Sequence, residues 1–375
     1  MTILALVKMC VYNLSRVFWL FPLKKSKIFL MNFDGTLVGH DAKAFVEWCN
    51  DHGQRFDFVW GSKNAEYAAR MSLENTRFVV VKSLRGMYEI MTAQTLLYNI
   101  NPPSYLCFRK RQTLINTWHG FPTKFSGKYI PGYNRKQFNT TTCFLADAEI
   151  CARLTIRDAF GYEGDILKIG TPKTDCFYSE KSEELKERVR KAFAIDARFR
   201  IALYAPTFRG DFIYTPSKFD FESLRSALSG RFGGEWVVLC RLHPMIAKSY
   251  KMSAEGVIDV SLYDDTQELL CATDVLITDY SSIKWDFSLQ FRPVFIYAED
   301  AEQFSHGRGL TVPLQEWPFS VASDNKELAA NIMSFDEREY ADKVARFHQK
   351  MGNYDLGYCC HNLNQYILNH GGIAQ

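Results

Sequence analysis

The chain is predicted to be an α/β protein of two domains, each built on a parallel sheet. Three observations carry this. Short apolar, β-branched runs alternate with helical patterns from Lys27 onward. The alternation begins afresh near residue 200, after the charged stretch Ser179 to Lys191. And 375 residues exceed the roughly 250–300 at which a single core stops growing.

Taken in order, Met1 to Leu23 is apolar, and every charge through Phe33 is positive: Lys8, Arg16, Lys24, Lys25 and Lys27. Lys8 and Arg16 interrupt the run before it reaches the ~20 apolar residues of a membrane helix. The order of charge and apolar residues is not that of a signal peptide. An interfacial amphipathic helix fits, with Phe18, Trp19 and Phe21 in the acyl boundary and lysines at anionic headgroups; the alternative is a helix packed on the protein's own core. Strands are predicted at 28–33, 56–60, 78–81, 96–100, 114–117 and 143–146, with helices at 42–52 and 149–160, and the run 166–169 leads into Gly170 to Asp175. The second half has strands at 200–205, 236–240, 257–260 and 275–277, a further run at 293–297 after a polar break, and a terminal helix from about Glu337 to Leu368. The predicted organisation is a membrane-associating segment at 1–26, a first Rossmann-like domain at 27–190, a second at 191–335, and a C-terminal helix at 336–375 that returns to the first domain.

A net charge of +3 over this length does not suggest nucleic acid, which asks for a concentrated basic surface. Ten cysteines without a C-x-x-C pair read as reduced thiols, and no metal-ligand spacing is present. Neither a Walker loop nor a G-x-G-x-x-G follows any strand, so ATPase and dinucleotide signatures are missing.

The polar residues gather instead at strand ends, where ligands bind in open α/β sheets. Strand 200–205 ends in Pro206-Thr207-Phe208-Arg209, strand 236–240 in Arg241-Leu242-His243-Pro244, and Val275 to Ile277 in Thr278-Asp279-Tyr280-Ser281-Ser282. Core packing would put apolar residues there. Three successive strands thus deliver Thr207 and Arg209, then His243, then Asp279, Ser281 and Ser282 to one edge. A helix start directly after Ser282 adds unpaired N–H groups suited to a diphosphate, although serine at that position also serves as an ordinary cap. In the first half, strand 114–117 runs into Trp118-His119-Gly120 with Lys124 close behind. His119 has a near-neutral pKa and sits where a general base sits; Lys124 is placed to assist a phosphate or the acceptor.

With these motifs assembled, the chain resembles the CDP-glycerol glycerophosphotransferase family of teichoic acid biosynthesis. The resemblance rests on Trp118-His119-Gly120 with Lys124, Gly170-Thr171-Pro172-Lys173-Thr174-Asp175, Tyr204-Ala205-Pro206-Thr207 with Arg209, His243-Pro244, and Thr278-Asp279-Tyr280-Ser281-Ser282 with Asp286. Together they span nearly everything after Lys27. The departures are Lys173-Thr174 where the family commonly has Arg-Asn, and Phe208 where tryptophan is usual; lysine lacks arginine's bidentate fork. The resemblance implies a GT-B-like architecture, two Rossmann-type domains facing a cleft, in a peripheral protein on the cytoplasmic face of the bacterial membrane. It implies transfer of glycerol phosphate from CDP-glycerol to a hydroxyl of an undecaprenyl-diphosphate-linked saccharide, with release of CMP. His119 is the expected base. His243, Arg209, Thr207, Asp279, Ser281 and Ser282 are expected to hold the donor, and the two histidines exchange roles in the alternative assignment. No cofactor is expected beyond magnesium carried loosely by the substrate. The absence of a long added domain suits the priming type of enzyme. The competing readings are a GT-B glycosyltransferase using a nucleotide sugar, a CDP-ribitol-using or polymerising relative, and a catalytically silent membrane scaffold.

Overall fold

The structure is a computed structural model that describes residues 3–134, 136–207, 219–242, 254–301 and 309–371. Among these, the apolar runs pair into two separate parallel sheets, and the chain divides into two compact units. One unit contains Met1–His119, Ser126–Asp175 and Tyr354–Gln375; the other contains Gly120–Phe125 and Cys176–Asn353.

The first sheet holds β1 (Lys24–Met31), β2 (Asp57–Ser62), β3 (Thr76–Val80), β4 (Ala93–Tyr98), β5 (Thr113–Asn116), β6 (Cys143–Leu145) and β7 (Asp165–Leu167), in the order β3-β2-β1-β4-β5-β6-β7. Because side chains alternate along a strand, β1 feeds two cores. Ile28 and Leu30 pack with Phe45, Phe58, Trp60 and Leu363 on one face, while Phe29 and Met31 pack with Val59, Leu96 and Leu114 on the other. Burial on both faces is why these strands read as continuous apolar runs. The predicted helix at 149–160 is present as a π-helix, Cys151–Ala159, in which the Phe160 N–H donates to the Thr155 carbonyl at 2.9 Å.

The second sheet holds β8 (Phe199–Ala205), β9 (Glu235–Cys240), β10 (Val257–Asp259), β11 (Val275–Thr278), β12 (Val294–Tyr297) and β13 (Ser320–Ala322), in the order β10-β9-β8-β11-β12-β13. Each unit therefore repeats the doubly wound order 3-2-1-4-5-6, with a crevice-forming reversal between β1 and β4 and between β8 and β11. β13 was not anticipated, since Ser320-Val321-Ala322 carries too few apolar residues to register as a strand.

The N-terminal stretch folds as a helix, Ile3–Leu14, followed by a 3-10 segment, Ser15–Leu20. The latter is fastened to its own unit: the Trp19 indole N–H donates to the Cys107 carbonyl at 3.0 Å, and Arg109 donates to the carbonyls of Phe18 and Phe21. Phe18 and Phe21 pack edge-on against Tyr88. Among the described residues, no helix is long and apolar enough to cross a membrane.

The single terminal helix expected from Glu337 to Leu368 is instead two, Glu337–Met351 in the second unit and Cys359–Gly371 in the first. Gly352 adopts a left-handed conformation (φ 70°, ψ 56°) that ends the former. The Gly170 to Asp175 motif then secures the return. Asp355 accepts hydrogen bonds from the Thr171 N–H (2.7 Å), the Thr171 hydroxyl (3.2 Å) and the Thr174 hydroxyl (2.8 Å). Asp175 accepts from the N–H groups of Cys359 and Cys360, satisfying the start of the final helix. Gly170, at φ 85°, lies so close that a Cβ would come within 2.7 Å of Asp355 Oδ1. Replacing Asp355 by alanine takes the acceptor from the buried Thr171 N–H and weakens the Thr171 and Thr174 hydroxyl bonds. The expected loss is about 2–4 kcal/mol of stability, read as a lower urea midpoint.

Candidate functional site

In the second unit, β8 and β11 lie side by side where the strand order reverses. Their ends are tied together. Asp279, just beyond β11 and only 2% exposed, accepts from the Thr207 N–H with both oxygens (2.8 and 2.9 Å) and from the Thr207 hydroxyl at 2.5 Å. The Thr278 hydroxyl donates to the Ala205 carbonyl at 2.6 Å. The carboxylate thus orders the turn by holding Thr207.

Ser281 and Ser282 follow, both half-buried. Ser282 precedes the helix Ile283–Ser288 but has helical angles and makes no side-chain capping bond. Among the described residues, neither serine hydroxyl has a hydrogen-bond partner within the protein. An ordinary cap spends its hydroxyl on the helix; these two remain available to a ligand.

The segment Gly120–Phe125 belongs to this same unit. The Trp285 indole N–H donates to the Thr123 hydroxyl at 2.8 Å, Phe121 packs on Trp285, and Lys124 forms an isolated bridge with Leu310. Gly120, at φ 145°, approaches Ser282 so closely that a Cβ would sit 3.1 Å from its Oγ. Five of the residues singled out in the sequence, Lys124, Thr207, Asp279, Ser281 and Ser282, therefore lie in one unit. Arg209 and His243 lie outside the described residues.

His119 is the last residue of the first unit before the chain crosses. Its Nδ1 lies 3.0 Å from the Asn99 carbonyl, which can only accept, so Nδ1 carries the proton and Nε2 keeps its lone pair. The ring is flanked by Trp118 and Phe33. Burial pushes the His119 pKa below its ordinary value; the Asn99 carbonyl works in the opposite direction, and the positive Lys173 reinforces the lowering. Asn99 is a residue that sequence reasoning missed, because it looked like part of strand β4. Its side chain accepts from the Phe33 N–H at 2.9 Å, so one residue joins the end of β1 to the orientation of the imidazole. Phe33, Asp34 and Trp118 all have positive φ (45°, 55° and 57°), a conformation that costs non-glycine residues energy and clusters at functional sites. Among the described residues no three His, Cys, Asp or Glu side chains gather as a metal site.

The profile of the family described as CDP-Glycerol:Poly(glycerophosphate) glycerophosphotransferase matches residues 13–369. The chain belongs to this family. It is 26% identical to a teichoic acid glycerol-phosphate transferase of Staphylococcus aureus, over 98% of this chain and 99% of that protein. It is 27% identical to a teichoic acid poly(glycerol phosphate) polymerase of Staphylococcus epidermidis, over 92% of this chain, and spans about half (50%) of that polymerase's length. The fold is that of the wall teichoic acid polymerase TagF (TM-score 0.83, 23% identity, covering 98% of this chain and 97% of that one). A UDP-GlcNAc 2-epimerase from Neisseria meningitidis shares the two-unit architecture more distantly (TM-score 0.52, 12% identity, 92% of this chain and 100% of that one). The glycerophosphotransferase fold is therefore GT-B-like, with two Rossmann-type units.

The His119 environment is testable without substrate. In nitrogen-15 NMR, His119 should show the Nδ1-protonated neutral tautomer at pH 7 and titrate below the ordinary ~6.5. With the native pKa lowered, the unfolded state binds the proton more readily, so His119 should destabilise the fold as pH falls below ~6.5.

Proposed function

We propose that the protein transfers glycerol phosphate from CDP-glycerol to a hydroxyl of a membrane-lipid-linked saccharide, releasing CMP, in the synthesis of a teichoic acid or related polymer. Family membership supports the donor, as do the relatives named for glycerol phosphate transfer. The chemistry rests on one observation: the bond from Nδ1 to Asn99 leaves His119 Nε2 unprotonated.

His119 accepts the proton of the acceptor hydroxyl as its oxygen attacks the glycerol-bearing phosphorus. The bond from that phosphorus to the bridging oxygen breaks, and CMP leaves with the electron pair. Ser281 and Ser282 are assigned to the diphosphate, Thr207 and Asp279 to ordering the turn, since the Thr207 N–H and hydroxyl are both donated to Asp279, and Lys124 to charge on the phosphate. Arg209 and His243 are assigned to the same donor on the strength of sequence alone. The reaction draws on no resident cofactor; any magnesium arrives with the donor.

His119→Gln should lower CMP release from CDP-glycerol by about 10²–10⁴-fold, and Ser281→Ala or Ser282→Ala by about 10²–10³-fold. In the parent enzyme, kcat/KM should fall on acidification with a midpoint below ~6.5 as Nε2 becomes protonated. Near-normal turnover in His119→Gln removes it as the base. Offering CDP-ribitol and UDP-sugars in parallel tests the donor, since turnover of either in preference to CDP-glycerol overturns the assignment.

The proposed location is the cytoplasmic membrane face. Leu14, Val17 and Leu20 are exposed, Leu20 by 84%, with exposed Lys24 and Lys25 nearby in sequence. Leu84, 80% exposed, opens the helix Leu84–Thr92, on which the Ser15–Leu20 segment packs. Apolar side chains beside lysines suit an anionic bilayer surface. Flotation with phosphatidylglycerol vesicles should carry the protein, and Leu14→Glu with Leu20→Glu should leave most of it behind. Equal flotation of the two proteins contradicts this attachment.

A further inference from the structure

Lys284 stands in the first turn of the helix Ile283–Ser288, two residues after Ser282, and is fully buried. Its ammonium donates to the Ser281 carbonyl at 2.8 Å and lies 3.9 Å from the centre of the Trp317 ring and 4.9 Å from that of Trp285. This placement is unfavourable for folding on three counts. A positive charge at a helix N-terminus opposes the helix dipole. An ammonium out of water forfeits its hydration. And of its three donors, one has a hydrogen-bonding acceptor among the described residues, the aromatic faces making up only part of the difference. Burial accordingly drives the Lys284 pKa well below the ordinary lysine value, the Asp279 carboxylate opposing and Lys124 reinforcing the shift. A methionine fills a similar volume with none of these costs.

What the charge accomplishes is local to the turn. The Ser281 carbonyl it grips belongs to the residue whose hydroxyl, with that of Ser282, has no partner within the described protein. We propose that Lys284 is a positioning residue for donor binding: its amino group fixes the Ser281 peptide through the Ser281 carbonyl, so that both serine hydroxyls are presented to an anionic diphosphate. The aromatic wall that retains the ammonium is continuous with the crossing segment, since Trp285 also holds Thr123 and packs on Phe121. This inference rests on reading the Asp279 to Ser282 turn as the donor site.

The test sets stability against affinity in Lys284→Met. The expected result is a melting temperature equal to or above that of the parent, together with a CDP-glycerol Kd and KM raised by about 10-fold or more and kcat changed far less. A plainly structural lysine gives the opposite: melting temperature and affinity fall together. That outcome overturns the proposal, as does unchanged donor affinity, or failure of both Lys284→Met and Lys284→Leu to fold. Hydrogen exchange of the ligand-free protein supplies a readout independent of the donor. Lys284→Met should speed exchange over residues 280–284 and leave β8 and β11 unchanged; identical exchange overturns the proposal. If the parent protein binds no CDP-glycerol, the proposed donor fails, and the exchange result still decides the role of Lys284.

Discussion

The hydrogen bonds between Asp279 and Thr207 are the constraint on which the order of the proposed donor turn depends. Two parallel strands diverge at their carboxyl ends wherever the strand order reverses, and divergence alone leaves polar backbone without partners. A buried carboxylate accepting one backbone N–H and one hydroxyl closes that gap. Such a group is stable only while its donors stay in place, so the geometry of β8 and β11 is transmitted directly to the residues that follow each strand. Ser281 and Ser282 inherit a defined position without spending their own hydroxyls to obtain it.

The first unit solves a different problem at its own reversal. Asn99 joins β1 to β4 through its side chain and fixes the His119 tautomer through its carbonyl. A backbone acceptor is the more durable choice for the second task, because no protonation change can reverse its polarity. The left-handed angles at Phe33, Asp34 and Trp118 are local costs borne by an otherwise regular sheet, whose apolar strands are buried on both faces.

Much of this was legible in the chain. Apolar β-branched runs located most of the thirteen described strands, because a strand buried on both faces has no polar alternation to disguise it. Hydroxyls and a carboxylate after β8 and β11 stood out because packing gives no reason for them there. What stayed hidden depends on distant partners. Asp355 finds Thr171 across 184 residues, and no local pattern announces that Gly352 breaks a helix there in favour of this clamp. Residues 118–124 read as one motif, whereas the chain changes unit between His119 and Gly120. Nothing in the local sequence marks Lys284 as buried, since the tryptophan that covers it, at 317, lies in a distant segment.

The most direct measurement is a crystal structure of the protein soaked with CDP-glycerol. The account predicts diphosphate density within hydrogen-bonding distance of the Ser281 and Ser282 hydroxyls, with the Asp279 to Thr207 bonds intact. Density for the nucleotide elsewhere, with both serine hydroxyls out of hydrogen-bonding reach of it, would contradict it.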